Sequence, residues 1–132
     1  GLAKEYGIRR AMPLPVSAPF HCAMMQPAAD KMAEALDGVS MNAPVIPVVA
    51  NVLASPIGDP AEIKQRLIEQ VTGTVRWRES VAFMAGDGVA TMVEAGAGKV
   101  LSGLAGRIDK SLTTIALNDA ASIAAGAGAL RS

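Results

Sequence analysis

With one cysteine and one histidine in 132 residues, the chain has little from which to build the commoner kinds of site. A lone Cys22 excludes an internal disulfide framework, and a reducing cytoplasm is the compartment expected. His21 and Cys22 are neighbours and cannot supply the three or four ligands of a zinc site, so no metal and no cofactor is expected. Long apolar runs are also missing. The chain is 51% hydrophobic, but its longest apolar stretch, residues 45–54, is broken by Pro47 and Asn51 and is too short to span a bilayer. No basic segment followed by an apolar one opens the chain, so a soluble protein with no membrane partner is expected. Twelve basic residues balance twelve acidic ones, and they are scattered. No face tracks phosphates, and nucleic acid is not an expected partner.

What is present suits one domain, long enough to bury roughly two thirds of the surface its unfolded form exposes. Residues 1–7 read as the last turns of a helix closed by Gly7. Residues 8–16 read as a loop and a short strand that Pro13 and Pro15 confine to a sheet edge or a crossing. Met25, Ala28, Ala29, Met32 and Leu36 recur at helical spacing. Pro27 falls early in that helix, so an irregular first turn is expected and His21 sits at or just before its N-terminus. Residues 44–52, β-branched and nearly all apolar, read as a buried strand of a parallel sheet. Asp59, Pro60 and Glu62 mark the start of a helix to about Val71.

Trp77, Val81 and Met84 then mark a short helix, and residues 89–93 a buried strand. Val100, Leu101, Leu104 and Ile108 mark another helix, residues 112–117 a last strand, and an Ala-rich helix follows. No repeat is visible. Strands alternating with helices give an α/β fold with parallel pairing.

A lone histidine is ordinarily a satisfied core or surface residue, and composition alone favours that role for His21. Its place at a strand-to-helix junction favours a functional one. A histidine base needs a nucleophile, yet no Gly-x-Ser-x-Gly elbow occurs. Ser17 lies four positions before His21, and Ser55, Ser80 and Ser102 lack flanking glycines at the spacing of such an elbow. A Cys22–His21 pair is not expected, since neighbouring side chains on a strand point apart, and Cys22 reads as a small buried residue. Gly96, Gly98 and Lys99 suggest a phosphate loop, but Val93 and Val100 stand where it requires glycine and a hydroxyl. Leu101 likewise occupies the third glycine position of a dinucleotide motif. A tight strand-to-helix turn accounts for these glycines.

Four separated blocks resemble a known family. They are Pro-Leu-Pro-Val-Ser-Ala-Pro-Phe-His-Cys-Ala-Met-Met-Gln-Pro-Ala-Ala-Asp at residues 13–30 and Pro-Val-Val-Ala-Asn-Val at 47–52. The others are the run from Gln70 to the Val-Arg-Trp that ends at Trp77, and Glu-Ala-Gly-Ala-Gly-Lys-Val-Leu-Ser-Gly-Leu at 94–104. Together they are similar to malonyl-CoA:acyl carrier protein transacylases of the acyltransferase domain family. The resemblance covers nearly the whole chain, but only the C-terminal portion, less than half, of a usual member.

The resemblance implies an α/β-hydrolase-like parallel-sheet subdomain, of which residues 17–132 form the C-terminal part. Residues 1–16 would be the remnant of a small ferredoxin-like subdomain. It implies that a serine attacks the malonyl thioester and a histidine takes its proton. A backbone carbonyl orients the imidazole. It assigns the histidine to His21 and the carbonyl to Gln70, seven residues before Trp77. It gives Phe20 a weaker role, narrowing the pocket around the acyl 2-carbon in favour of malonyl over methylmalonyl. The implied substrate is malonyl-CoA, and the implied partner is acyl carrier protein with its phosphopantetheine arm.

The nucleophile elbow, the oxyanion hole and the carboxylate-binding arginine are expected in an N-terminal portion of the same enzyme. This chain alone is therefore expected to be inactive. A noncatalytic binding module, or one half of a split protein whose partner supplies the serine, is the alternative. Hydrolysis in place of transfer is a third. Arg9, Arg10 and Arg76 are basic residues available to an acidic carrier protein or simply to water.

Overall fold

The structure is a computed structural model that describes residues 2–9, 12, 16 and 18–130. The chain opens with a single helical turn, α1, Leu2–Glu5. It is closed as expected by Gly7, whose φ of +70° is costly for a residue with a side chain. The strand expected within residues 8–16 falls largely outside the described residues. Ile8, Arg9, Met12 and Val16 are exposed and belong to no strand.

The next helix begins irregularly, as Pro27 requires. A 3₁₀ turn at Ala23–Met25 leads into α2, Gln26–Asp37, with the proline in its first turn. α2 buries Ala29 and packs on α3, Pro60–Thr72. α3 is nucleated by Asp59, whose side chain accepts a hydrogen bond from the Glu62 amide at 2.9 Å. Lys64 of α3 donates to the carbonyl of Val39, just past α2, and ties the two helices at that end.

Between them lies a correction to the sequence-based expectation. Residues 44–52 do not form a buried strand of a parallel sheet. Only β1, Val48–Ala50, is extended, and it pairs antiparallel with β2, Ser55–Ile57. Pro44 and Pro47 carry no amide donor, so the stretch before Val48 cannot sustain a ladder. Val45 and Ile46 are exposed there. The reversal is made over residues 51–54, where the amides of Leu53 and Ala54 both donate to the Ala50 carbonyl at 3.1 and 2.8 Å. Ala54 takes a left-handed φ of +55°. α3 lies on β1, and Ala50, Ile57 and Ile63 form a small cluster closed by Met41, Leu53 and Leu67.

The remaining elements form a β-α-β unit. α4, Trp77–Gly86, precedes β3, Thr91–Ala95. α5, Val100–Ile108, crosses to β4, Thr113–Leu117, and α6, Ala120–Ala129, closes the unit. β3 and β4 pair in parallel, from Thr91 opposite Thr113 to Ala95 opposite Leu117. This is the parallel pairing that strand-helix alternation implied. The expectation of a fully buried strand at 89–93 is corrected, since β3 alternates exposed and half-buried positions. α5 and α6 pack on β4, and α4 packs on α5. Val81, Ala105 and Leu112 form the second cluster, surrounded by Trp77, Met84, Met92 and Ile108.

Candidate active site

His21 lies in the short link that enters the 3₁₀ turn, and its backbone is left-handed with φ of +57°. Histidine visits that region more readily than most residues with a side chain, at a cost of about 1 kcal/mol. The conformation separates it from its neighbour. Cys22 Sγ donates to the Pro19 carbonyl at 3.1 Å, whereas the His21 ring reaches the far end of α3. Cys22 is half-buried, which corrects the expectation of a buried residue.

The partner of His21 is the backbone of Gln70. His21 Nδ1 lies 2.8 Å from the Gln70 carbonyl oxygen, across 49 positions of sequence. That carbonyl is available because of where α3 stops. The last carbonyls of any helix lack an amide four residues on, and Gly73, with extended backbone, ends this one. Gly73 donates to the carbonyl of Glu69 at 2.8 Å, which leaves the next carbonyl, that of Gln70, facing outward. A carbonyl only accepts, so Nδ1 donates, and in the neutral ring Nε2 carries the lone pair. The two site residues assigned by resemblance are thus brought into direct contact.

Asn51 and Arg76, which the sequence did not assign to the site, extend this arrangement. Asn51 Nδ2 donates to the Gln70 side-chain oxygen at 2.9 Å. The Asn51 carbonyl in turn accepts from the Arg76 amide at 2.8 Å, and Arg76 Nη1 donates to the Leu53 carbonyl at 3.0 Å. The available signal was a polar residue in the middle of an apolar run. A cavity of about 270 Å³, bounded by Val48, Asn51, Ile63, Leu67 and Gln70, opens beside this network.

Phe20 sits next to His21 and is 59% exposed. Ser80 donates to the Arg76 carbonyl at 2.9 Å and is buried away from solvent, as a structural serine would be. Ser17 and Arg10 lie outside the described residues. Arg9 is exposed, while Arg76 is committed to Leu53 and, at 3.6 Å, to Glu79. Among the described residues no cluster of His, Cys, Asp or Glu could hold a metal ion, and no helix is long and apolar enough to cross a membrane.

The glycine turn before α5 behaves as expected, with φ of +143° at Gly96 and +89° at Gly98. The helix end behind it carries its own anion. Glu94 accepts from the amides of Leu101 and Ser102 at 3.1 and 2.8 Å. Ser102, whose amide donates to it, and then the Leu101 amide hold the Glu94 carboxyl below the usual carboxylate range.

No family model matches the chain. Curated relatives do. The chain is 47% identical over 118 residues to the malonyl CoA-acyl carrier protein transacylase of Bacillus subtilis (strain 168), across 89% of the chain and 37% of the relative. It is 47% identical over 122 residues to the enzyme of the same name from Escherichia coli (strain K12), across 92% of the chain and 40% of the relative. Solved structures agree. An acyl-carrier-protein-S-malonyltransferase from Bartonella henselae superposes with a TM-score of 0.87 at 46% identity, over 99% of this chain and 42% of that one. A malonyl-transacylase in complex with a type II PKS acyl-carrier protein superposes with a TM-score of 0.79 at 44% identity, over 90% and 38%. The chain therefore spans about 40% of the length of the curated relatives it matches.

Proposed function

We propose that this chain is the histidine-bearing, C-terminal part of a cytoplasmic malonyl-CoA:acyl carrier protein transacylase of fatty acid synthesis. The observation that carries this reading is the 2.8 Å contact from His21 Nδ1 to the Gln70 carbonyl. It occurs in a chain whose relatives bear that name. Acyl carrier protein as the acceptor is supported by the relative solved in complex with such a protein. Residues 1–16 would then close a small ferredoxin-like subdomain, and 17–132 an α/β-hydrolase-like one.

The chemistry follows from the tautomer. With Nδ1 donating to a fixed carbonyl, Nε2 accepts the proton of a serine hydroxyl as its oxygen bonds to the malonyl carbon. The carbon-sulfur bond breaks, and Nε2–H protonates the departing CoA thiolate. In the second half the phosphopantetheine thiol gives its proton to Nε2 as sulfur attacks the seryl ester, and the serine oxygen leaves with that proton. A neutral carbonyl suffices to orient the ring, as a carboxylate does in other triads. Phe20 borders the acyl pocket and narrows it around the 2-carbon. The serine, oxyanion donors and malonate-binding arginine come from the rest of the enzyme.

The test is complementation. The 132 residues alone transfer no malonyl group, whereas mixing them with a separately produced N-terminal portion of a transacylase restores transfer to carrier protein. His21→Ala then lowers the rate by about 10²–10⁴-fold. Full activity in that mutant would refute the reading.

A further inference from the structure

The Gln70 carbonyl is well placed only if the last turn of α3 stays wound, and helix ends fray. Two features bear on that turn. Gly73 stops the helix, and the Gln70 side chain is tied at 2.9 Å to Asn51 at the C-terminal end of β1. Asn51 is itself anchored, because its carbonyl accepts from the Arg76 amide at the start of α4. Resting on the role proposed for His21, we infer that Asn51 is a positioning residue. It holds Gln70 so that the Gln70 backbone selects the Nδ1–H tautomer of His21.

The geometry separates this from a general packing role. Asn51 reaches the imidazole through one bond to the Gln70 amide and a second from the Gln70 carbonyl to the ring. Removing the Asn51 side chain therefore acts on the tautomer by the same route as removing the Gln70 side chain. Arg76 belongs to the same support, since its amide and guanidinium grip both ends of the 51–53 turn. The polar residue in the apolar run and the arginine before Trp77 thus share a purpose, which is to fix one carbonyl.

The measurement is direct because His21 is the only histidine. The full chain is labelled with ¹⁵N-histidine, and the ring nitrogen shifts are read at about pH 9, where imidazole is neutral. The wild type shows mainly the Nδ1–H form. In Asn51→Leu the ratio of Nδ1–H to Nε2–H falls roughly five-fold, the effect of losing one hydrogen bond. Gln70→Ala keeps the backbone carbonyl, favours the helix, and gives the same fall if Asn51→Leu prevents folding. The double variant falls no further than either single one. Asn51→Asp restores most of the ratio, because the Gln70 amide can turn and donate to the carboxylate.

An unchanged ratio in both single variants, additive losses in the double variant, or a wild type dominated by Nε2–H overturns the proposal. Absence of malonyl transfer with the tautomer effect intact refutes the function and spares the positioning role. Transfer with no tautomer response does the reverse.

Discussion

The two clusters of the chain differ in how completely they close. Around Ala50, Ile57 and Ile63 each buried residue keeps 8% of its surface exposed, and a cavity of about 270 Å³ lies against Ile57 and Ile63. Around Val81, Ala105 and Leu112, Val81 is fully enclosed at 0% and Ala105 nearly so at 1%. The looser cluster carries His21, Gln70 and Asn51. The tighter one is a β-α-β unit whose helix starts are capped by its own side chains. Glu94 caps α5, and Asp119 with Ser122 forms a reciprocal capping box on α6. The site thus rests on the less closed part of the molecule, where polar ties and not packing hold the geometry.

That contrast can be broken by paired substitutions. Leu112 and Ile63 are equally buried, but Leu112 lies within the closed cluster while Ile63 borders the open cavity. Leu112→Ala leaves a void that cannot collapse and is expected to cost about 4 kcal/mol. Ile63→Ala adds to a space already open and costs about 2 kcal/mol. Urea unfolding of both variants decides, and equal costs would erase the distinction.

Gly73→Ala is expected to cost about 1–2 kcal/mol. A Cβ there would meet the Glu69 carbonyl oxygen at 2.9 Å and Val52 at 3.0 Å, and backbone cannot move aside cheaply. Because Gly73 ends the turn that presents Gln70, the same variant should weaken the His21 contact, visible as loss of the Nδ1–H signal. Stability loss without that change would uncouple the helix end from the site.

The smallest effect concerns acid. Ser122, through its amide and hydroxyl, holds the Asp119 carboxyl below its ordinary range, and Ser102 does the same for Glu94. A carboxylate depressed in the folded state adds stability that is complete above its ordinary range and is lost as pH falls through the depressed value. The free energy of unfolding read in urea should therefore fall as pH drops below the ordinary carboxylate range, and Glu94→Gln should flatten part of that dependence. An unchanged acid profile in Glu94→Gln would remove this term from the comparison.

How far the sequence revealed these features depended on how local they are. The Asp59-Pro60 start of α3, the irregular turn before Pro27 and the glycine turn before α5 were legible because each is written in adjacent residues. The hairpin at residues 51–54 was not, because Ala54 takes a left-handed φ that ordinarily calls for glycine or asparagine. Without a glycine or proline there, the apolar run read straight through its own reversal. The contact between His21 and Gln70 spans 49 positions and leaves no periodic trace. Only the resemblance paired them. Asn51 showed itself as an interruption, and its partner became evident once α3 was set against β1.

The role proposed for His21 as base is tested most directly by the first half-reaction. Chain and complementary N-terminal portion are mixed with malonyl-CoA, and the malonyl ester on serine is followed by intact mass in a single turnover. The ester should form with the wild-type chain and about 10²–10⁴-fold more slowly with His21→Ala. Equal rates of ester formation in the two would contradict a histidine base held by the Gln70 carbonyl.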